Sequence, residues 1–288
     1  MHFGAVIPQN ELGHDTAAII EFALEAERLG FEHLLAYDHV LGADRQHHTD
    51  LTGPYGLDDT FREPFVLFGH LAALTSLGFA TAILIAPQRQ TALLAKQAAE
   101  VDLLSGGKLR LGCGIGWNPV EYEALGIPFE GRGNRLAEQV GVLRQLWTDE
   151  RVTASIGNER IVAAGLAPLP IQRPIPIWMG ALAPAALRRV GELADGWFPM
   201  AWPGAGFEEQ LDIVRAAATA AGRDPSSLGI EGQVPAAAGS PDTTARLAER
   251  WTTGGVTHLS VTTLNQGLVG AEAHLDALRS GASALGLS

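Results

Sequence analysis

Short runs of apolar, β-favouring residues alternate with longer stretches whose apolar positions recur at helical spacing. The runs predict eight strands, at His2–Ile7, His33–Tyr37, Phe79–Ile85, Leu109–Cys113, Ile175–Met179, Gly196–Met200, Gly229–Val234 and His258–Thr262. Most are apolar at consecutive positions, hence on both faces, which is the pattern of strands covered by helices. The helices between them carry start and stop signals. Asp15 is placed to cap Thr16–Leu29, whose Ile19, Ile20, Ala23 and Leu24 fall mostly on one face, and Gly30 follows as a left-handed stop. Thr91–Leu104 closes at Gly106-Gly107, and Phe207–Ala221 at Gly222. Arg132–Trp147, Ala185–Ala194, Pro241–Thr253 and Gly270–Leu285 complete the set.

Eight strands with intervening helices in 288 residues predict an α/β fold, a (β/α)8 TIM barrel, as one domain spanning 1–288. A doubly wound sheet would more often carry a dinucleotide fingerprint in its first turn, and Pro8-Gln9-Asn10-Glu11-Leu12-Gly13 is not one. Two connections are too long to be turns. Asp38–Pro64 follows the second strand, and Asp149–Pro174 precedes the fifth and holds a small hairpin, Val152–Ile156 with Arg160–Ala163 around Gly157-Asn158. Loops of this length in compact domains are usually lids or binding loops.

Composition narrows the function. The formal net charge is −12, and no basic cluster is dense enough to attract a polyanion, so nucleic-acid binding is excluded. The single cysteine, Cys113, can make no internal disulfide, and at a strand end it reads as a small buried apolar residue. The start at Met1–Pro8 lacks a basic leader, and the longest apolar stretch, Gly78–Ala86, is far below the roughly 18 residues that span a bilayer. A soluble, cytoplasmic protein with no membrane partner is expected.

In a barrel, functional groups gather just after each strand. The first strand offers Gln9 and Asn10, the second Asp38 and His39, the fourth Gly114-Ile115-Gly116-Trp117, the fifth Gly180 to Pro184, and the sixth Trp202. Few are charged and many are glycine or aromatic, which suits a flat, apolar ligand held by backbone groups. Asp38-His39 is the sharpest polar pair, either a carboxylate-supported general acid or a pair that anchors the loop. Gly112–Trp117 fails the G-x-G-x-x-G pattern, and is either a close backbone approach to a ligand or a plain tight turn. Ala183 supplies no capping oxygen to the helix opening at Pro184, so its N–H groups meet a phosphate or water. His47-His48 with Asp50 lack helical metal-ligand spacing and read as solvated, so no metal is expected. Trp117 and Trp202 are the tryptophans placed to line a pocket.

Together these residues resemble the luciferase-like flavin and deazaflavin oxidoreductases over nearly the whole chain. The carrying segments are Leu34–His39, Arg62–Phe65, Ala86–Arg89 with Leu94–Gln97, Leu104–Leu109, Gly114–Trp117 with Glu121–Gly126, Pro176–Trp178 and Ala194–Trp197. The resemblance implies a barrel with insertions, a homodimer, and either FMN or the deazaflavin coenzyme F420 at the C-terminal face. An Asp-His pair after the second strand is typical of the deazaflavin branch, so Asp38 and His39 inherit cofactor contacts and His39 the role of proton donor. The same resemblance implies a non-proline cis peptide at Ala82-Ile83, behind the cofactor's central ring. Gly114, Ile115 and Gly116 would line that ring, and Gly180, Ala181 and Ala183 would meet the phosphate. Two departures stand out. Ala181 and Ala183 occupy places where relatives commonly have Gly and Ser or Thr, which leaves the anchor to backbone N–H groups and the helix dipole. Trp117 stands where sugar-phosphate dehydrogenases of the branch have a catalytic Glu, which points to an apolar substrate, with Gln9, Asn10, Trp117 and Trp202 around it. The activity so implied is hydride transfer between F420 and a small apolar organic molecule; the alternative is a reduced-FMN monooxygenase on the same fold.

Overall fold

The computed structural model describes residues 1–236 and 240–287. Eleven strands and nine α-helices lie among them: β1 (His2–Val6), α1 (Thr16–Arg28), β2 (His33–Ala36), α2 (Pro64–Ala72), β3 (Gly78–Thr81), β4 (Leu84–Ile85), α3 (Thr91–Leu104), β5 (Leu109–Gly114), α4 (Pro119–Ala124), α5 (Arg132–Thr148), β6 (Val152–Ile156), β7 (Glu159–Ala164), β8 (Ile177–Ala181), α6 (Pro184–Leu193), β9 (Gly196–Pro199), α7 (Ala205–Ala220), β10 (Gly229–Pro235), α8 (Pro241–Thr253), β11 (His258–Thr262) and α9 (Gly270–Ala284). The sheet runs β3-β2-β1-β11-β10-β9-β8-β5-β4, and a β3–β5 pairing closes it. Every pairing in it is parallel, so this is a closed (β/α)8 barrel whose third stave is broken into β3 and β4. The break falls at Ala82–Ile83, whose peptide bond is cis. The predicted strand Phe79–Ile85 is therefore two strands.

Period-two alternation divides each stave between two cores. Val6, Leu35, Ala80, Trp178, Phe198 and Leu264 face inward, with Tyr37, Ala82 and Ile83 packed on them at the upper end. Their neighbours Ala5, Leu34, Phe79 and Ile177 face outward into the larger core beneath the helices. Trp178 fills the barrel's width because β9 and β10 present Gly196 and Gly229 to it; a Cβ at either would enter the indole. At the lower end a polar layer replaces the apolar one. Glu231 takes hydrogen bonds there from Arg110 at 2.7 Å and from Ser260, with His33 at 2.7 Å.

The fifth stave starts at Ile177 and not at Ile175, because Pro174 and Pro176 have no N–H for the ladder. The hairpin β6–β7 lies in the connection before it, antiparallel around Gly157, as its sequence predicts. No helix among the described residues is long and apolar enough to cross a membrane.

Candidate active site

The C-terminal ends of the staves carry the candidate chemistry, and the loop after β2 decides its shape. Gln9, just beyond β1, spans the loop's neck. Its amide N–H donates to the Tyr37 carbonyl at 2.8 Å, and its oxygen accepts from Arg62 N–H at 3.0 Å. Asp38 and Arg89 make a second strap. Asp38 accepts from Ile85 N–H at 3.0 Å and from the Arg89 guanidinium at 2.7 Å, and Arg89 lies 3.7 Å from Glu63 at the loop's other end. The neck is thus stapled twice, once by an amide and once by an ion pair.

Inside the loop, His39 is enclosed. Its side chain is 9% exposed. The rings of Phe61, Tyr55 and Trp117 meet it edge-on, with centroids 4.7, 5.4 and 5.5 Å away. Gly53 folds back so tightly on Trp117 that a Cβ there would enter the indole ring. His39 Nδ1 lies 3.0 Å from Oε2 of Glu121, a buried carboxylate on α4. The other oxygen, Oε1, accepts from Val40 N–H at 2.6 Å and Leu41 N–H at 3.1 Å. Burial works against the charge on Glu121, but the His39 ring and these two N–H groups outweigh it and hold the carboxyl below the ordinary range. Asn118 caps α4 by accepting from Val120 N–H at 3.0 Å, and Tyr122 donates to the Ile115 carbonyl at 2.8 Å. The short helix is therefore pinned at the place from which Glu121 reaches the loop.

Several expected roles change. Gln9 is expected at the substrate, but both ends of its amide are engaged by backbone, so it is a strap of the loop. Asp38 is expected at the cofactor or orienting His39; its carboxylate instead holds Ile85 and Arg89, and Glu121 orients the ring. Trp202, expected at the substrate, is half-exposed, and its ring pairs with Trp251 of α8 at 6.1 Å. The buried amide of Asn10 has no hydrogen-bond partner at either end among the described residues.

The glycines of the mouth serve the broken stave. Ile83 occupies the space a Cβ on Gly114 would need and lies tight against the Gly180 position, and Ile85 occupies the corresponding space at Gly116. The apolar floor there is thus Ile83, with the glycines admitting it. Beyond β8, no side chain caps α6, where Ala183 is the N-cap, and no acidic residue stands in its first turn. Sequence reasoning assigned no role to Glu121, Arg89, Tyr55 or Phe61. The Asn118-Pro119 helix start was a readable signal for α4, but no local pattern tied Glu121 to a residue 82 positions away.

The sequence profile of the luciferase-like monooxygenase family matches residues 1–283. The chain belongs to this family. Within it the chain is 34% identical to an uncharacterised protein of Mycobacterium tuberculosis over 207 residues, 69% of each. It is 31% identical over 201 residues to an FMNH2-dependent dimethylsulfone monooxygenase of Pseudomonas putida, covering 68% of this chain and 52% of that one. It is 29% identical over 241 residues to an F420-dependent hydroxymycolic acid dehydrogenase of Mycobacterium tuberculosis, covering 82% of this chain and 63% of that one. The coenzyme F420-dependent tetrahydromethanopterin reductase of Methanopyrus kandleri shares the luciferase-like fold, with a TM-score of 0.75 at 19% identity over 96% of this chain and 97% of that one. Relatives in this oxidoreductase family thus include proteins named for each of two tricyclic cofactors.

The residues present fit such a group. An uncapped helix N-terminus suits a phosphate, an apolar floor at Ile83 suits a flat ring, and the unpartnered Asn10 amide suits polar ring edges or a substrate.

Proposed function

We propose that this chain is an F420-dependent oxidoreductase that moves a hydride between the deazaflavin and a small, apolar organic substrate. The observation that carries this reading is the placement of His39. It is an imidazole enclosed by Phe61, Tyr55 and Trp117 and backed by Glu121, at the end of the stave beside the Ala82–Ile83 break. When bound, the deazaflavin supplies the two-electron hydride chemistry. The chain's residues do the rest. The turn from Gly180 into α6 holds the phosphate through backbone N–H groups such as that of Ala185, Pro184 having none, and Ala82, Ile83, Gly114, Ile115 and Gly116 support one face of the ring. His39 gives or takes the proton that balances the hydride, so that an alcohol carbon losing hydride loses its hydroxyl proton to the imidazole. The loop from Asp38 to Pro64 excludes water, and its aromatic lining selects apolar over phosphorylated substrates.

The same fold supports a second reading, a reduced-FMN monooxygenase, favoured by the similarity to the dimethylsulfone enzyme. Titration of the protein with F420 and with FMN, followed by tryptophan fluorescence, and anaerobic turnover with reduced F420 separate the two. Tight F420 binding and oxygen-independent turnover are expected. Strict dependence on oxygen and reduced FMN would overturn the proposal. His39→Ala is expected to lower turnover by about 10²-fold or more while F420 affinity changes little, and an unchanged rate removes His39 from the chemistry.

A further inference from the structure

Glu121 has two oxygens in two different settings. Oε1 is held by the N–H groups of Val40 and Leu41, which can only donate. Oε2 faces His39 Nδ1. An ionised carboxylate can only accept, so the 3.0 Å contact requires a proton on Nδ1. In the neutral ring the lone pair then sits on Nε2. The rings of Phe61, Tyr55 and Trp117 stand edge-to-face with it. We propose that Glu121 is a positioning residue that fixes His39 as its Nδ1–H tautomer and leaves Nε2 as the ring atom that exchanges a proton with the substrate. The assignment of Nε2 to the substrate rests on the reading given under Proposed function; the tautomer itself rests on the protein alone.

The two backbone donors make the inference sharp. In Glu121→Gln, the amide oxygen must stay on Val40 and Leu41, because the amide nitrogen there would set donor against donor at 2.6 and 3.1 Å. The NH2 group is then turned onto His39 Nδ1. Nδ1 must accept, and the ring proton moves to Nε2. A substitution that keeps shape and both backbone hydrogen bonds thus inverts the tautomer. A merely structural role for Glu121 would leave the tautomer as it was. The same logic applies to an Asp-to-Asn change behind a serine-protease histidine, where geometry survives and the wrong tautomer costs about 10⁴ in turnover.

The test is two-bond proton–nitrogen NMR on protein labelled with nitrogen-15 histidine, without cofactor, well above the ordinary histidine range of pH. The His39 signals are assigned by their loss in His39→Gln. In wild-type protein the pattern of protonated Nδ1 and unprotonated Nε2 is expected, in about tenfold excess or more, as a charge-assisted hydrogen bond would give. In Glu121→Gln the pattern is expected to reverse, with the Val40 and Leu41 amides still protected from exchange. A wild-type ring protonated on Nε2 overturns the proposal whether or not the variant folds. A folded variant with an unchanged tautomer overturns it too. Neither result depends on F420, so failure of the functional reading in the titration above is separately visible.

Discussion

Cys113 sits in β5 with its thiol wholly buried, and burial pushes it up to about 12. Thiolate is the reactive form, so this side chain is inert at neutral pH. Native protein is expected to react with an aromatic disulfide reagent only as fast as it unfolds, and stoichiometrically in denaturant. Prompt labelling of the native state would contradict the burial. At this scale the sequence was informative where a residue's role is set by its immediate neighbours. Cys113 as buried filler, Asp15 accepting from Ala18 N–H at 2.9 Å and the positive φ of Gly30 all followed from local chemistry. Roles set across the barrel were not legible. Asp38 and His39 are adjacent in the chain, yet one turns to Arg89 and the other to Glu121, 51 and 82 positions away. Adjacency suggested a carboxylate–imidazole pair, and the fold made two separate ones.

Among elements, the staves and most helices were readable from periodicity, and the exceptions have physical causes. α2 is apolar nearly all round, so it shows no polar face, although Glu63 accepting from Val66 N–H at 2.7 Å and Pro64 at its first position mark its start. α4 has six residues, too few for a repeat. Nothing in an apolar run betrays the break between β3 and β4; only the resemblance placed it. The loop between β2 and α2 belongs to this scale as well. Its neck is held by Gln9 and by Arg89, while its body rests on Trp117 through Gly53. Gln9→Ala strips partners from the Tyr37 carbonyl and the Arg62 N–H, at a cost of about 1–3 kcal/mol. Its melting point should drop by several degrees, and limited proteolysis should cut between Val40 and Phe61 faster than in wild type. Equal cutting rates would mean that Arg89 alone holds the neck.

Over the whole molecule, two surfaces carry consequences. On one side, Val66 on α2 and Leu93 and Leu104 on the neighbouring α3 are large, apolar and more than half exposed. We expect this face to meet a second copy, and size-exclusion with light scattering to give about twice the 30.4 kDa chain mass. At both ends of the barrel, histidines removed from solvent couple stability to protons. His33 at the lower end, and His274 on α9 beside Thr263 at the upper end, are buried, and burial lowers their proton affinity; at His258, again at the lower end, burial, and next the Arg110 charge, bring the value down to about 3. All three rings are therefore neutral in the folded protein, while the unfolded chain takes up protons near the ordinary value of about 6.5. Below that pH the unfolded state binds more protons, so stability falls as the solution is acidified, by up to about 1.4 kcal/mol per pH unit for each ring. Glu231 extends the loss further down. Burial opposes its charge, but the Arg110 charge and the hydrogen bonds from His33 and Ser260 outweigh burial and hold it far below the carboxylate range, so its contribution is present at neutral pH and goes as the solution becomes strongly acid. Thermal melts should therefore fall steadily between about pH 7 and about pH 5 and keep falling below. His258→Gln removes one of the three rings and should flatten the upper part of that curve by about a third, leaving the lower part to Glu231. Glu231→Ala, which leaves Arg110 facing His33 without a counter-charge, should cost about 3–5 kcal/mol at neutral pH and take the acid limb of the curve with it. A melting curve indifferent to pH over this range would mean that these histidines are solvated in the folded protein.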